Sequence, residues 1–286
     1  MKVLVIGSEG QLGSELKKLS ESHKNFSWFF SCVKSLNLSE LDSICPYLNK
    51  INPSKIINCA AYTNVDKAEK EFEIADLINH KAIDVISKWT NKNNKMLIHI
   101  STDYVFEGLS EIPLNENSFT NPVNEYGLSK LKGEQACQKN DPNSIIIRTS
   151  WLYSSFGENF VKTMIELMKK NDSIRVIKDQ IGSPTYAYDL AKVILEIIIN
   201  YKSVSGLFHY SNEGKISWYE FARSINDFYN FDCEIIGVSS KEFKTLAKRP
   251  KYSLLNKSKI KKIFNLEIPF YKQSLKNCIE IIKNQA

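Results

Sequence analysis

The chain has 286 residues, 43% of them hydrophobic and 24% charged, with a net charge of +6. That composition excludes a disordered or fibrous chain. No apolar run approaches the roughly 18 residues needed to cross a bilayer; the longest, Val193 to Ile199, is interrupted by Glu196. At about 100–200 residues per domain, the length fits one large domain or one domain with a smaller lobe. The opening Met1 to Gly7 turns to glycine after four apolar residues, which is not the pattern of a signal peptide. A cytoplasmic protein without a membrane partner is expected.

Six cysteines (Cys32, Cys45, Cys59, Cys137, Cys233, Cys278) form no C-x-x-C pair. Of the four histidines, His23 and His80 are scattered, and His99 and His209 lie inside apolar runs, where burial and hydrogen bonding are expected. Neither a disulfide framework nor a zinc site follows, and reduced cysteines agree with the cytoplasm. Lys257, Lys259, Lys261 and Lys262 make the one local basic cluster. It reads as a solvated helix face and not as a nucleic-acid patch, so no nucleic-acid partner is expected. The mild positive balance would also suit an anionic small molecule.

In chain order, Lys2–Ile6 reads as a buried strand and Gln11–Leu19 as a helix. Ser27–Cys32 and Lys55–Cys59 are further strands. From Asp66 to Trp89, apolar residues at Ala75, Ile78, Ala82, Val85, Ile86 and Trp89 keep a helical period. Met96–Ile100 is a strand, Asn124–Lys139 a helix and Ser144–Ile147 a strand. Strands alternating with helices predict an α/β fold, a Rossmann-type doubly wound parallel sheet. The pattern loosens after Arg148. Helices are expected at Asn159–Lys169, Asp189–Asn200 and Ser217–Tyr229, with short strands at Arg175–Ile177 and Leu207–Tyr210 between them. A dinucleotide-binding domain over residues 1–150 is expected, followed by a smaller, mixed, mainly substrate-binding portion over 151–286, partly interleaved with it.

Gly7, Gly10 and Gly13 follow the first strand and open the first helix. The first permits the tight turn, the second lets a pyrophosphate approach bare backbone, and the third lets the helix pack against the sheet. The helix N-terminus adds unpaired N–H groups and a positive dipole end. In this place the motif predicts dinucleotide binding through Gly7, Gly10, Gln11, Leu12 and Gly13. An acidic residue ending the second strand would hold the adenosine ribose of NAD. Phe29 to Lys34 offers none. Lys34 could accept a 2′-phosphate, which leans weakly to NADPH over NADH; the competing reading is a surface lysine.

The spacing Y-x-x-x-K occurs twice, at Tyr126/Lys130 and Tyr188/Lys192, about what chance supplies in a chain with 13 tyrosines. Context separates them. The strand Met96–Ile100 ends in Ser101-Thr102-Asp103, and C-terminal strand ends form the ligand crevice of a parallel sheet. Thr102 is placed there, with Tyr126 and Lys130 delivered by the next helix. Tyr188 has no such strand end before it and reads as structural. A carbonyl that receives hydride must also be protonated, and a Tyr with a pKa near 10 is a poor acid–base group unless a neighbouring ammonium lowers it. The expected roles are Tyr126 as acid, Lys130 as tuner that also binds cofactor ribose hydroxyls, and Thr102 as orienter of the developing oxyanion.

These segments, together with Ile57 to Glu69, Ser101 to Gly108, Gly133-Glu134, Arg148 to Tyr153, Asn159-Phe160, Asp179 to Thr185, Arg249-Pro250, Ser253 and Leu255, resemble the extended short-chain dehydrogenase/reductases and, among them, the dTDP-4-dehydrorhamnose reductases. The resemblance implies NAD(P)H-dependent reduction of the 4-keto group of dTDP-4-dehydro-6-deoxy-L-mannose to dTDP-L-rhamnose, a surface-polysaccharide precursor. It implies a dTDP-sugar as partner and a monomer or homodimer. Carried over by position, Ala61, Tyr62 and Thr63 line the cofactor, Asn37 and Leu38 fall near the adenine, and Thr102, Asp103 and Trp151 touch the sugar nucleotide. Arg249 is expected at the diphosphate. Some members hold magnesium at a dimer interface through glutamates. Glu15 matches one ligand position, but Tyr188 stands at the other, so no metal site is expected here. Two other readings stay open: a reductase of another NDP-4-keto-6-deoxysugar, and a non-catalytic regulatory subunit of the same fold. The intact Thr102, Tyr126 and Lys130 argue for catalysis.

Overall fold

The computed structural model describes residues 1–201 and 203–285; Ala286, the end of the expected second portion, lies outside them. The apolar runs of the first half become parallel strands. β1 (Lys2–Ile6) leads into α1 (Gln11–Ser20), then β2 (Ser27–Ser31), α2 (Leu41–Ile51) and β3 (Lys55–Asn58). The long helical-period stretch does not form one helix. It breaks into α3 (Val65–Ala68), α4 (Phe72–Asp76), a π turn at Leu77–Lys81 and α5 (Ala82–Lys92). The interruption has local causes. Asn64 caps α3, its side chain accepting the Lys67 N–H. The π turn adds a residue that swings Asn79 inward. β4 (Met96–Thr102), α6 (Glu125–Asn140) and β5 (Ile145–Thr149) complete the half.

The remaining elements are mostly short: β6 (Leu152–Tyr153), α7 (Phe160–Lys170), β7 (Ser173–Ile177), β8 (Ile181–Gly182), β9 (Thr185–Tyr186) and α8 (Ala187–Asn200). They are followed by β10 (Gly206–Tyr210), β11 (Ile216–Ser217), α9 (Trp218–Tyr229), β12 (Glu234–Val238), α10 (Ser258–Phe264) and α11 (Tyr271–Gln285). Ser217 caps α9 in a reciprocal box with Glu220, an arrangement that satisfies two otherwise orphaned N–H groups. No helix among the described residues is long and apolar enough to cross a membrane.

The main sheet runs β10-β5-β4-β3-β1-β2, and every pair is parallel. β10 therefore extends the sheet with chain from beyond residue 150. The strand order reverses between β1 and β3, since β2 lies on one side of β1 and β3 on the other. That switch point opens a crevice at the C-terminal strand ends. Side chains alternate across the sheet. Val3, Val5, Ile57, Ile98 and Ile147 pack with α1 and α8 on one face. Leu4, Ile6, Ile56, Leu97 and Ile146 pack with α2, α5 and Cys137 of α6 on the other. Burial on both faces explains why these strands read as continuous apolar runs. A separate core of Tyr153, Val161, Ile165, Phe221 and Leu275 binds α7, α9 and α11 together.

The basic cluster is a solvated face at Lys259, Lys261 and Lys262, but not at Lys257. Lys257 is 8% exposed and pairs with Glu213 at 3.2 Å. Lys259 donates to the Leu207 carbonyl at 2.7 Å, and Lys261 pairs with Glu213 at 2.9 Å. Three of the four lysines thus staple the α10 region to neighbouring chain, because unpaired carbonyls and Glu213 lie within their reach. His99 and His209 are fully buried, bonded through Nδ1 to Asn58 and to the Leu114 carbonyl respectively.

Candidate active site

The glycine loop closes directly over the switch point. Gly7 takes φ +83°, and a Cβ there would sit 2.6 Å from the Ala60 backbone N, on the loop after β3. A Cβ on Gly13 would lie 2.2 Å from the Gly7 carbonyl. Only bare backbone fits both contacts. Gly10 caps α1 without a side-chain bond, and the first turn holds no acidic residue. The N–H groups of Gln11, Leu12 and Gly13 thus have no partner from within the helix. This donor set fits the pyrophosphate of a dinucleotide. The Gln11 side chain itself looks away from the loop: it donates to the Leu152 carbonyl at 3.3 Å and accepts from Asn159 at 3.1 Å.

The backbone N–H groups of Gly7 and Ser8 both donate to the Ser31 carbonyl, so the end of β2 abuts the loop. Lys34 follows three residues later and is exposed. Asn37 spends its side chain on a turn, accepting from Ser39 N–H and hydroxyl and donating to Glu40. Leu38 is buried in the core on that side of the sheet. After β3, Ala61, Tyr62 and Thr63 form the opposite rim. Asn79 pins this rim in a way the sequence reading missed. Its Oδ1 accepts the Tyr62 N–H at 2.8 Å, and its Nδ2 donates to the Tyr62 carbonyl and to Ser129 Oγ on α6, each at 3.0 Å. The Tyr62 hydroxyl bonds the Glu71 carboxylate.

β4 ends at Thr102 and delivers Thr102 and Asp103 to the crevice, and the first turns of α6 bring Tyr126 and Lys130 to the same place. Asn124 caps α6 by accepting the Gly127 N–H at 2.8 Å. The Thr102 hydroxyl donates to Asp103 Oδ1 at 3.1 Å and also hydrogen-bonds Tyr126. Tyr126 keeps part of its surface open, yet burial of its phenol outweighs the Thr102 bond and pushes the pKa up to about 12. Lys130 does not depress it. The Lys130 ammonium is buried and donates to the Ile100 carbonyl at 2.7 Å. Burial brings its own pKa down to about 8 against the pull of Glu134. The expected lowering of Tyr126 by Lys130 is therefore absent here, because desolvation dominates both groups. Burial also raises the Asp103 carboxyl to about 6, with Ser253 and Thr102 hydroxyls opposing. Glu134 in turn is gripped by Arg148 through Nε at 2.9 Å and Nη2 at 2.6 Å, with both side chains buried.

Trp151 adopts φ +48°, a left-handed conformation that non-glycine residues rarely hold without a surrounding structure that enforces it. One face of its ring stacks on Trp218 at 3.7 Å between centroids. Arg249 is committed to Asp66, with Nη2 2.5 Å from Oδ2. Tyr188 packs beside Tyr186 with the Lys192 ammonium 4.9 Å over its ring. Magnesium finds a poor donor set near it. Glu15 is buried and accepts from the Ser154 hydroxyl at 2.6 Å, and Asp189 is held by Asn212, Ser274 and Lys192. Among the described residues, no three His, Cys, Asp or Glu side chains gather as metal ligands, and a hard cation prefers several oxygens.

A dinucleotide cradle at the switch point, beside the Thr–Tyr–Lys set, defines the class of nicotinamide-dependent reductases. The chain belongs to the RmlD substrate-binding-domain family, whose model matches residues 1–284. It is 34% identical to a dTDP-4-dehydrorhamnose reductase of Aggregatibacter actinomycetemcomitans, over 96% of this chain and 97% of that one. A crystal structure of a dTDP-4-dehydrorhamnose reductase from Clostridium acetobutylicum superposes with a TM-score of 0.95 at 37% identity, covering 99% of this chain and 100% of that chain. The Bacillus anthracis dTDP-4-dehydrorhamnose reductase in complex with NADP gives a TM-score of 0.93 at 37% identity, covering 98% and 99%.

Proposed function

We propose that this chain reduces the 4-keto group of dTDP-4-dehydro-6-deoxy-L-mannose to give dTDP-L-rhamnose. The observation that carries this reading is Tyr126 held by Thr102 at the mouth of the glycine-loop crevice. The bound nicotinamide supplies the hydride to the keto carbon. Tyr126, neutral well above physiological pH, donates its phenolic proton to the keto oxygen. The Thr102 hydroxyl, whose single proton can turn from Asp103 to the Tyr126 oxygen, stabilises the phenolate once the proton has been given. The Lys130 ammonium, four residues on along α6, meets the ribose hydroxyls of the bound cofactor. Reprotonation of Tyr126 from solvent closes the cycle. Asp103 and Trp151 border the sugar, with the open surface of Trp151 left to meet its C–H face. Ala61, Tyr62 and Thr63, fixed by Asn79, line the nicotinamide side.

Lys34, exposed three residues beyond the strand end that the glycine loop grips, favours NADPH by meeting a 2′-phosphate. The six unpaired cysteines suit the reducing cytoplasm as the place of reaction. The test is a turnover assay with the keto-sugar generated in situ by the preceding dehydratase and epimerase, with NADPH and NADH compared. Rapid cofactor oxidation with dTDP-L-rhamnose as product supports the reading. Cofactor binding without turnover moves it to another keto-sugar or to the regulatory subunit. Lys34→Glu is expected to raise the NADPH KM about tenfold and leave that for NADH within about twofold, on the scale of one lost charge-assisted contact.

A further inference from the structure

Arg249 ties together three pieces of chain that surround Tyr126. Its guanidinium meets Asp66 at two points, Nη2 to Oδ2 at 2.5 Å and Nη1 to Oδ1 at 3.4 Å. Nη1 also donates to the Ala247 carbonyl at 3.1 Å, and the guanidinium lies beside the Tyr104 hydroxyl. Only 20% of the side chain is exposed. Asp66 lies in α3, just beyond the cofactor rim at Ala61–Thr63, and also accepts the Ala247 N–H at 2.9 Å. One carboxylate therefore anchors both ends of the segment 247–249.

Neighbouring bonds reinforce the same junction. Asn124, the cap of α6, donates to the Lys248 carbonyl at 2.8 Å. The Glu125 N–H donates to Glu69 at 2.9 Å. The Tyr104 ring stands edge-on to Tyr126, with centroids 5.7 Å apart and planes at 74°. The Tyr104 carbonyl presses on Gly127 so closely that a Cβ there would lie 2.2 Å away. Tyr104 thus packs against Tyr126 on one side and meets Arg249 through its hydroxyl.

We propose that Arg249 is a positioning residue for Tyr126, acting through Tyr104, and not a ligand of the substrate diphosphate. This rests on the reading of Tyr126 as proton donor. A planar guanidinium has five N–H donors in a fixed fork. Here both terminal nitrogens are turned to Asp66 and Ala247, with Tyr104 beside the guanidinium, so a diphosphate could take the terminal fork only by breaking the Asp66 pair. Asp66 is held below the usual carboxylate range, chiefly by its hydrogen bond to Arg249, so the pair stays ionised at neutral pH.

The experiment compares Arg249→Gln, Tyr104→Phe, Tyr126→Phe and the doubles on the full chain. Arg249→Gln is expected to lower kcat about tenfold or more, in line with the cost of small misplacements of a reacting group. The Kd for dTDP and for NADPH should each stay within about twofold of wild type. Combining Arg249→Gln with Tyr104→Phe should be no slower than the slower single variant, and adding it to Tyr126→Phe should leave the residual rate within about twofold, because all act on one group. Amide exchange should quicken at residues 103–106 and 124–127. Arg249→Lys, which keeps the charge but loses the fork, serves if the Gln variant does not fold. Weakened dTDP binding at unchanged kcat would make Arg249 a substrate ligand, and additive losses would make it independent of Tyr126; either overturns the proposal. If the wild type does not turn over the keto-sugar, the functional reading falls. The clamp is then judged by exchange alone, and unchanged exchange in those two segments overturns it.

Discussion

Asp103 offers a test in which structure sets both size and sign. Its carboxyl is 2% exposed, and burial raises its pKa to about 6 from an ordinary 3.8. The folded state thus binds more protons than the unfolded state between those values, and this residue alone makes stability fall as pH rises through that window. With the two pKa values the cost is about 1.5 kcal/mol at pH 5 and about 3 kcal/mol at pH 8, at one pKa unit per roughly 1.4 kcal/mol. Asp103→Asn removes the titration. Its amide oxygen still accepts from Thr102, and its NH2 can meet the Ser253 hydroxyl. The variant should therefore gain on wild type by about 1.5 kcal/mol between pH 5 and pH 8, or about 3–6 °C of relative Tm for a chain of this size. Thermal unfolding of both proteins across that range measures it. A Tm difference that stays flat with pH, or that moves against the variant as pH rises, refutes the buried-carboxylate account.

Other perturbations follow from the same network. Glu134→Gln strips the partner from the buried Arg148 guanidinium. Removing one half of a buried pair should cost about 3–5 kcal/mol in urea unfolding, and a loss below about 1 kcal/mol would mean that Arg148 finds another partner. Asn79→Ala leaves the Tyr62 N–H and carbonyl without their bonds. It should destabilise the chain by about 1–3 kcal/mol and weaken NADPH binding in a fluorescence titration, and undiminished binding would separate the π turn from the cofactor rim. Lys130, already brought down to about 8, should lose its charge as pH rises through that value. The kcat profile should then fall on its basic side near pH 8, and a plateau to pH 10 would deny the ammonium a role.

Much of the sheet was legible because strands buried on both faces carry unbroken apolar runs, as in Lys2–Ile6 and Ile145–Ile147. The glycine loop was legible because its glycines answer to contacts of bare backbone. The helical period from Asp66 to Trp89 was real but blind to its breaks, since a π turn keeps the apolar residues on one side while it turns Asn79 inward. α2 went unread because Pro46 lies within it. α11 was missed although Tyr271, Leu275, Cys278, Ile279 and Ile282 mark its face. Two-residue strands such as β6 and β9 hold no period at all. The doubly wound parallel arrangement was legible in the alternation of strands and helices, but the seat of β10 beside β5, with chain from beyond residue 150, was not. Tyr126, Lys130 and Thr102 were placed by strand-end logic. Their protonation was not, because desolvation depends on what packs around them. Nor could spacing show Arg249 turned toward Asp66, 183 residues away.

The central claim is that Tyr126 gives the proton that turns the ketone into an alcohol. The direct measurement is the rate of NADPH oxidation by Tyr126→Phe against wild type with dTDP-4-dehydro-6-deoxy-L-mannose, with NADPH affinity measured alongside. Phe keeps the ring beside Tyr104 and removes only the acid. The account predicts a fall in kcat of about 10²–10⁴-fold with NADPH affinity unchanged. A variant that retains more than about a tenth of the wild-type rate, a loss smaller than general acid catalysis supplies, would contradict it and place the proton donor elsewhere.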